Sequence, residues 1–426
     1  MRNILNRLIY FIFLSVFILS CTENQNKNPQ ELILERADIL LKNGHVIDPK
    51  NQINEPLDVA IDNGKIVKVA KSISLKNVEK VIDVEGMFVT PGLINMHTHV
   101  YAGNNPGFQA GISSILPDLF SFRSGITTVV DAGTSGWRNF PDFKKMIIDA
   151  SKTRVLAFLS IAATGFSNDK NYEYEMDSAM TAQMVNKYPE LIGVRIGHFN
   201  GSEWLPFDLA VEAAEISHTP LMVECHLPEY SLEEQLNRMR SGDILTHAFE
   251  HVSEREPVVN VESGLIEEYV LKAREKGVIF DVGHGGAGFW FSQAVPALKQ
   301  GLMPDSFGTD QHRFSMNAGM KDMLNVMSKY LNLGMSLENI INSATWKPAN
   351  SLKRLDLGHL SEGAEADVAV LNIRRGEFGF VDAGNNKIEG NQKFEAELTI
   401  RAGEIVWDLN GLSATPWEDS TMTRQH

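Results

Sequence analysis

The stretch Phe88-Val89-Thr90-Pro91-Gly92-Leu93-Ile94-Asn95-Met96-His97-Thr98-His99 carries the strongest signal for the fold of this chain. An apolar run that is broken by Pro-Gly and ends in two histidines predicts a buried strand with both imidazoles at its C-terminal end. Residues two apart on a strand share a face, so His97 and His99 can bind one metal ion together. An isolated His-x-His also occurs in polar loops, and only the remaining sequence can separate the two interpretations.

The size and composition of the chain indicate a globular protein. Its 426 residues suit a large barrel with an accessory module. Hydrophobic residues make up 43% and charged residues 22%, which allows a sizeable core and argues against general disorder. The formal net charge of -15 argues against a nucleic-acid partner, because phosphate groups would be repelled.

The N-terminal residues have the order of a secretory signal. A basic segment at residues 1–7 precedes an apolar run at residues 8–19 that is too short for a comfortable membrane span. The residues around Cys21 resemble a bacterial lipobox, in which this cysteine becomes lipidated. We expect residues 1–21 to be a lipoprotein signal and residues 22–36 a flexible tether. The protein would then be exported and lipid-anchored to the bacterial membrane, periplasmic or surface-facing, with the lipid as its only membrane contact. A plain signal peptide or an uncleaved anchor is the alternative.

Both ends of the chain contain short alternating strands. In residues 37–90 these strands are separated by turn signals such as Asn-Gly, and the same alternation returns in residues 351–412. Two such halves on either side of a long middle segment predict one small β-sandwich domain that is formed from both chain ends. A tail at residues 413–426 follows it.

The middle segment, residues 91–350, alternates apolar strand-like runs with helical patterns. Apolar strands separated by amphipathic helices indicate a parallel sheet that is buried on both faces. Eight such runs predict an α/β fold with a closed (β/α)8 TIM barrel, and an open doubly wound sheet is the alternative. The runs are the stretch quoted above and residues 127–131, 155–161, 191–196, 221–226, 243–247, 278–282 and 305–310.

Histidine and aspartate residues gather at the ends of these runs. A single histidine in a strand is more often a hydrogen-bonded packing residue than a ligand, but several at one rim are improbable by chance. The C-terminal ends of barrel strands are also where TIM-barrel enzymes place their catalytic residues. The residues at this rim are His97, His99, Asp131, His226, His247, His284 and Asp310.

All of these residues except His226 lie in segments that resemble the amidohydrolase superfamily of metal-dependent hydrolases. The segments are residues 91–99, 130–133, 242–247, 281–287, 308–310 and 360–368. Residues 130–133 and 281–287 are similar to the deacetylase-type branch that is related to dihydroorotase and D-aminoacylase. The resemblance implies a β-sandwich built from the two chain ends and a barrel that holds one or two divalent ions, usually Zn2+.

The resemblance also implies which residues bind the metal. His97, His99 and Asp310 would bind the more buried ion, and His226 and His247 would bind the more exposed one. Asp310 would also take a proton from metal-bound water. Histidine and carboxylate ligands suit zinc, which lowers the pKa of a bound water so that hydroxide can attack a carbonyl.

Three further residues are expected to bind substrate. They are Asp131 and His284 at the rim, and Arg195 in the fourth strand. Arg195 can clamp a substrate carboxylate with two hydrogen bonds, and a structural ion pair is its alternative role. The histidines not expected to be ligands are His198, His218, His251 and His312.

The fourth strand departs from the family pattern. Many relatives have a carbamylated lysine there that bridges two ions, and the family spacing would place it at Gly193. Glu224 lies two residues before His226 and so on the same strand face. Either Glu224 replaces the lysine as a bridging ligand, or the site binds one ion, or it no longer catalyses. Glu224 as a buried carboxylate paired with Arg195 is a further alternative.

We therefore expect a metal-dependent hydrolase of amide or cyclic amide C–N bonds in a small acylated or cyclic substrate that can carry a carboxylate. Metal-bound hydroxide would attack the carbonyl, and Asp310 would move the proton. Two alternatives stay open: hydrolysis of an ester, as in a deacetylase of an acylated hydroxy acid, and a degenerate barrel that binds a small ligand without turnover. The sequence determines neither the substrate nor the oligomeric state.

Overall fold

The computed structural model describes residues 31–103, 113–165, 175–197, 203–224, 230–253 and 255–419. The predictions for Cys21, for the signal segment and for His226 lie outside the described residues. Within those ranges, no helix is both long enough and apolar enough to cross a membrane.

Strands and helices alternate through the middle of the described chain, with strand-rich segments before and after. The strands are β1 (Ala37–Asp48), β2 (Ile53–Asp62), β3 (Lys65–Ala70), β4 (Val78–Asp83), β5 (Phe88–Pro91), β6 (Leu93–Thr98), β7 (Ile126–Ala132), β8 (Arg154–Ser160), β9 (Leu191–Gly197), β10 (Leu221–Glu224), β11 (Ile244–Leu245), β12 (Ile279–Phe280), β13 (Val368–Val381), β14 (Lys387–Arg401) and β15 (Glu404–Asp408). The α-helices are α1 (Phe140–Phe143), α2 (Ser178–Lys187), α3 (Leu205–Ser217), α4 (Leu232–Arg238), α5 (Glu268–Lys276), α6 (Phe291–Lys299), α7 (Met323–Asn332), α8 (Leu337–Ala344) and α9 (Trp346–Ser351).

The strands from the two chain ends form one sheet, called the end sheet below. Its order is β15-β14-β13-β5-β1-β2-β3, and β4 also pairs with β1. β13 runs antiparallel to β5, with Val368 opposite Pro91, and this pairing joins the two ends of the chain. The sheet buries a cluster of aliphatic side chains that includes Leu41, Val59 and Val370. The predicted sandwich form of this module is not confirmed.

The Pro-Gly break divides the opening stretch between two sheets. β5 ends at Pro91 in the end sheet, whereas β6 begins at Leu93 in the barrel. The Gly92 amide donates a hydrogen bond to Asp367 O at 2.8 Å. A Cβ at Gly92 would overlap Thr127, so glycine is required at this close approach. The stretch that the sequence predicts as one strand is therefore two strands in different sheets.

The second sheet is parallel and closes into a barrel. β6 to β12 are neighbours in chain order. The eighth predicted strand contacts both edges of this sheet: Val282 N donates to Ser306 O at 3.1 Å, and Gln311 N donates to His97 O at 3.2 Å. Parallel bridges accompany both contacts. The prediction of a TIM-barrel-like α/β fold is thereby confirmed against the open sheet.

Alternation along the barrel strands sorts side chains between the helices and the barrel interior. On β10, Leu221 and Val223 belong to the large cluster that includes the helix residues, whereas Met222 belongs to a separate inner cluster. Glu224 follows Met222 by two residues and therefore also points inward. The C-terminal mouth of the barrel is where such inward polar side chains meet.

Candidate metal centre

The two histidines of the opening stretch lie beside Asp310 at the mouth of the barrel. His99 Nε2 is 3.1 Å from Asp310 Oδ1, and His97 Nε2 is 3.6 Å from the same oxygen. One potential ligand atom from each of the three residues lies within 4.8 Å of the other two. His97 is completely buried, and Asp310 is 9% exposed. These residues form one candidate donor group.

A second donor group shares His97 and adds residues from the fifth and sixth barrel strands. Glu224 Oε1 lies 3.0 Å from His247 Nε2, and Glu224 Oε2 lies 3.7 Å from His97 Nε2. His97, Glu224 and His247 are all buried and again have ligand atoms within 4.8 Å of one another. The two oxygens of Glu224 therefore point toward two different histidines.

The hydrogen bonds of His97 and His247 determine which ring nitrogen carries the proton. Thr246 donates its hydroxyl hydrogen to Asp281 at 2.8 Å, so its oxygen accepts from His97 Nδ1, also at 2.8 Å. His247 Nδ1 donates to the Gly283 carbonyl. A neutral His97 then has its Nε2 lone pair directed at the carboxylates of Glu224 and Asp310.

A nitrogen lone pair that faces a carboxylate oxygen is repelled by it unless a cation lies between the two atoms. Burial lowers the pKa of His97 well below its usual value, so this ring is neutral near pH 7 and cannot supply that cation itself. His97 Nε2 and His99 Nδ1 are buried without a hydrogen-bond partner within the described part of the chain. Neutral imidazoles with a carboxylate are the ligand types that zinc and related divalent metals prefer. The donor groups therefore fit a divalent metal ion.

The backbone at two of these residues adopts an uncommon conformation. His247 and Asp310 have φ values of 53° and 46°, in the left-handed region that non-glycine residues rarely occupy. Such conformations persist where the surrounding structure enforces them, and they cluster at functional sites. Burial by itself would raise the pKa of Asp310, but the hydrogen bonds from His312 and His99 outweigh it and hold that pKa well below its usual value. Asp310 is therefore a carboxylate at neutral pH.

Several known proteins are similar to this chain over most of its length. The amidohydrolase family profile matches residues 292–406. A deacetylase of Brucella anthropi is 28% identical over 360 residues, which cover 81% of this chain and 86% of the relative. A deacetylase of Agrobacterium fabrum is 29% identical over 390 residues, which cover 87% of this chain and 92% of the relative. The crystal structure of an adenine deaminase superposes with a TM-score of 0.79 at 27% identity and covers 87% of this chain and 100% of that one.

These similarities support a hydrolase of the amidohydrolase superfamily and of the deacetylase type, and the resemblance inferred from the sequence is confirmed. The relatives support metal-dependent hydrolysis of C–N bonds, and the converging donor groups supply a candidate site for the metal.

The fourth strand of the barrel supplies an arginine to the site. Arg195 Nη2 donates to Glu224 Oε2, and each of the two residues is only 2% exposed. This is the ion pair that the sequence left as an alternative for both residues. A Cβ at Gly193 would overlap Phe158 and the Pro220 carbonyl, so a lysine does not fit at this position. Substrate binding by Arg195 stays a prediction, and its buried contact with Glu224 does not favour it.

Asp131 accepts hydrogen bonds from two segments at the rim of the barrel. Its Oδ2 accepts from Val100 N at 2.9 Å, and its Oδ1 accepts from the amide and the hydroxyl of Thr134 at 2.9 and 2.8 Å. The side chain is completely buried, and burial raises its pKa. Because Val100 directly follows His99, these bonds hold the end of β6. Substrate binding by Asp131 stays a prediction, although its contacts are those of a structural residue.

His284 turns away from the mouth of the barrel. Its ring is completely buried, with Nε2 2.6 Å from Lys329 Nζ and Nδ1 3.0 Å from Gly285 O. Both ring nitrogens are therefore engaged by the protein, and neither is directed at a substrate. Substrate binding by His284 stays a prediction, and this placement does not favour it.

Several residues outside the predicted site support the ligands. Thr246 joins His97 to Asp281, which also accepts from Ser306 Oγ at 2.5 Å and from Gly308 N at 2.7 Å. Such partners fix the orientation of a ligating histidine. His312 Nε2 lies 3.6 Å from Asp310 Oδ2. The neighbouring motifs give the only sequence signal, because Thr246 immediately precedes His247 and Asp281 opens the Gly-rich segment around His284.

Proposed function

We propose that this amidohydrolase hydrolyses an amide or cyclic amide C–N bond in a small substrate, with an N-acylated small molecule as the first candidate. The observation that carries the proposal is the pair of imidazoles, His97 and His247, whose Nε2 atoms face the carboxylate of Glu224 from two sides. The deacetylases of Brucella anthropi and Agrobacterium fabrum support an acyl group as the part that is removed.

Two ions are proposed, with Zn2+ as the metal. His97, His99 and Asp310 would hold one ion, and His247 with His226, which lies outside the described residues, would hold the other. Glu224 would bridge them in place of the family lysine, since its oxygens point toward His97 and His247 separately.

The buried charges at this end of the barrel support two ions. Glu224 and Asp310 are buried carboxylates of the donor groups within the described residues, and Arg195 is the cation paired with Glu224. Uncompensated buried carboxylates are costly, so a net negative cluster of this kind favours the binding of divalent cations.

The chain's own residues would then carry out the proton transfers. A divalent ion bound here would polarise the scissile carbonyl and make hydroxide available near neutral pH. Asp310 is a carboxylate at that pH and retains some exposure toward the mouth, so it can accept a proton from the attacking water. The C–N bond breaks when the same proton passes to the leaving nitrogen, which yields a carboxylic acid and an amine. Thr246 and the Gly283 carbonyl keep His97 and His247 in the tautomers that bind metal.

The proposal is tested with a substrate panel on purified protein that has been stripped of metal and reloaded with Zn2+. Release of acetate is measured for N-acetyl amino acids and for matched O-acetyl hydroxy acids, ring opening for dihydroorotate, and ammonia release for adenine. We expect turnover of an N-acyl or cyclic amide compound only after metal loading. Turnover confined to the O-acetyl compounds would establish the esterase alternative. Binding of Zn2+ without turnover of any class would favour a ligand-binding barrel.

A further inference from the structure

The backbone of residues 283–288, called the glycine loop below, lies directly against two candidate ligands. The Gly283 carbonyl accepts from His247 Nδ1. A Cβ at Gly285 would overlap Asp310 Oδ2, and a Cβ at Gly288 would overlap the His247 ring. Gly283 and Gly285 also have positive φ values of 49° and 43°. No larger residue fits at these positions, so the loop backbone forms a wall of the candidate metal centre.

The one large side chain of the glycine loop anchors it on the side away from the ligands. The His284 ring stacks on Phe289 with a centroid distance of 4.9 Å and an interplanar angle of 23°. Its Nε2 lies 2.6 Å from the Nζ atom of Lys329, a residue of α7. Lys329 is completely buried and also donates to Gly319 O at 2.8 Å.

Burial of the Lys329 amine costs desolvation free energy that an apolar side chain in the same space would not cost. Burial opposes its charge strongly enough to lower the pKa of Lys329 to about 7. An apolar residue such as methionine would fill the same volume without desolvating an amine. A substitute of similar size would lose the bonds to His284 and to Gly319 O, and of these two only the bond to His284 reaches the glycine loop.

We propose that Lys329 is a positioning residue of the metal centre, which acts by holding His284 and so keeps the glycine loop against His247 and Asp310. Donation from Lys329 makes His284 Nε2 the acceptor, so Nδ1 carries the hydrogen and donates to Gly285 O at 3.0 Å. This bond orients the Gly285 peptide, whose Cα lies against Asp310. Lys329 is thus connected to Asp310 through the His284 side chain and the Gly285 peptide unit. The inference rests on the proposed metal-dependent function.

The test compares Zn2+ affinity in the wild type, in Lys329→Met, in His284→Phe and in the double variant. Affinity is measured by competition with a chromophoric chelator, and the ligand field is followed in the visible spectrum of the Co2+-loaded proteins. Loss of partners that orient metal ligands typically weakens binding about 10–100-fold, and we expect a loss of that order in Lys329→Met. The double variant should bind no more weakly than His284→Phe, because Lys329 acts through that ring.

Lys42→Met is the matched control in the end sheet. Lys42 is a largely buried lysine whose Nζ lies 2.8 Å from Asp58 Oδ2, far from the metal centre in the fold. Its replacement should lower stability while Zn2+ affinity and the Co2+ spectrum stay as in the wild type. A shift of affinity in this control equal to that in Lys329→Met would overturn the proposal.

The remaining outcomes separate this inference from the proposed function. A wild type that binds no Zn2+ would refute the proposed function itself. Wild-type affinity in Lys329→Met, or losses that add in the double variant, would refute only the positioning role. If Lys329→Met does not fold, His284→Phe retains the ring stack and tests the same anchor, and unchanged affinity in that variant would overturn the proposal.

Discussion

Replacement of Glu224 by glutamine separates a metal ligand from a purely structural ion pair. Glu224 is 2% exposed and accepts from Arg195, while its other oxygen lies 3.0 Å from His247 Nε2. The amide of Glu224→Gln keeps the shape of the side chain but leaves the Arg195 charge buried without a counter-charge. Breaking a buried pair in this way costs about 3–5 kcal/mol, and the metal-free variant should lose that much free energy of unfolding.

Zn2+ should then change the stability deficits of Glu224→Gln and Arg195→Met in opposite directions. A ligand at about 1,000 times its Kd stabilises the native state by about 4 kcal/mol, and Glu224→Gln should lose much of this gain because an amide is a weak zinc ligand. Its stability deficit relative to the wild type should therefore widen in excess Zn2+. In Arg195→Met the uncompensated group is the carboxylate itself, which bound ions can neutralise, so that deficit should narrow. Urea unfolding followed by tryptophan fluorescence, with and without Zn2+, measures both differences.

Arg255→Met is the matched control for these measurements. Arg255 Nη1 lies 2.7 Å from Glu250 Oε1, and the side chains are 2% and 3% exposed, which closely matches the pair at the metal centre. The deficit of this control should be equal in the presence and absence of Zn2+. If the deficit of Glu224→Gln is likewise independent of Zn2+, Glu224 is not a metal ligand and the reasoning from its two oxygens is refuted.

Three further predictions concern the proton shuttle, the buried lysine and the lipid anchor. Asp310→Asn should still bind Zn2+ through the histidine ligands when the metal is in excess, measured by elemental analysis, and should lose nearly all turnover; an active variant would remove Asp310 from the role of base. Because burial lowers the pKa of Lys329 to about 7, the unfolded chain binds more protons than the native state above that pH, so stability should rise from pH 7 toward the ordinary lysine pKa. Urea midpoints should show this rise in the wild type and not in Lys329→Met. Cys21→Ala should move the protein from the membrane fraction to the soluble fraction after cell lysis, and unchanged fractionation would refute the lipoprotein prediction.

Local patterns in the sequence determined the fold class and most of the donor set. Alternating apolar runs and helical patterns predicted the barrel, because strands buried on both faces leave a continuous apolar signature. Parallel strands place their C-terminal ends at one rim, which is why His97, His99, His247 and Asp310 could be expected to converge before any coordinates were known. The positions of these four residues depended only on strand ends and period, and both are local properties.

Only the tertiary structure decided how the polar side chains are paired. Arg195 and Glu224 lie on adjacent strands, yet the sequence allowed the arginine to face either the substrate or the carboxylate. The bonds from Lys329 to His284 and from Thr246 to His97 join residues that are 45 and 149 positions apart, and no local pattern encodes such distances. The direction of the His284 ring was also decided in the tertiary structure, where it stacks on Phe289 and accepts from Lys329. Strand ends were therefore predictable from sequence, whereas the contacts that orient the ligands depend on how distant segments pack together.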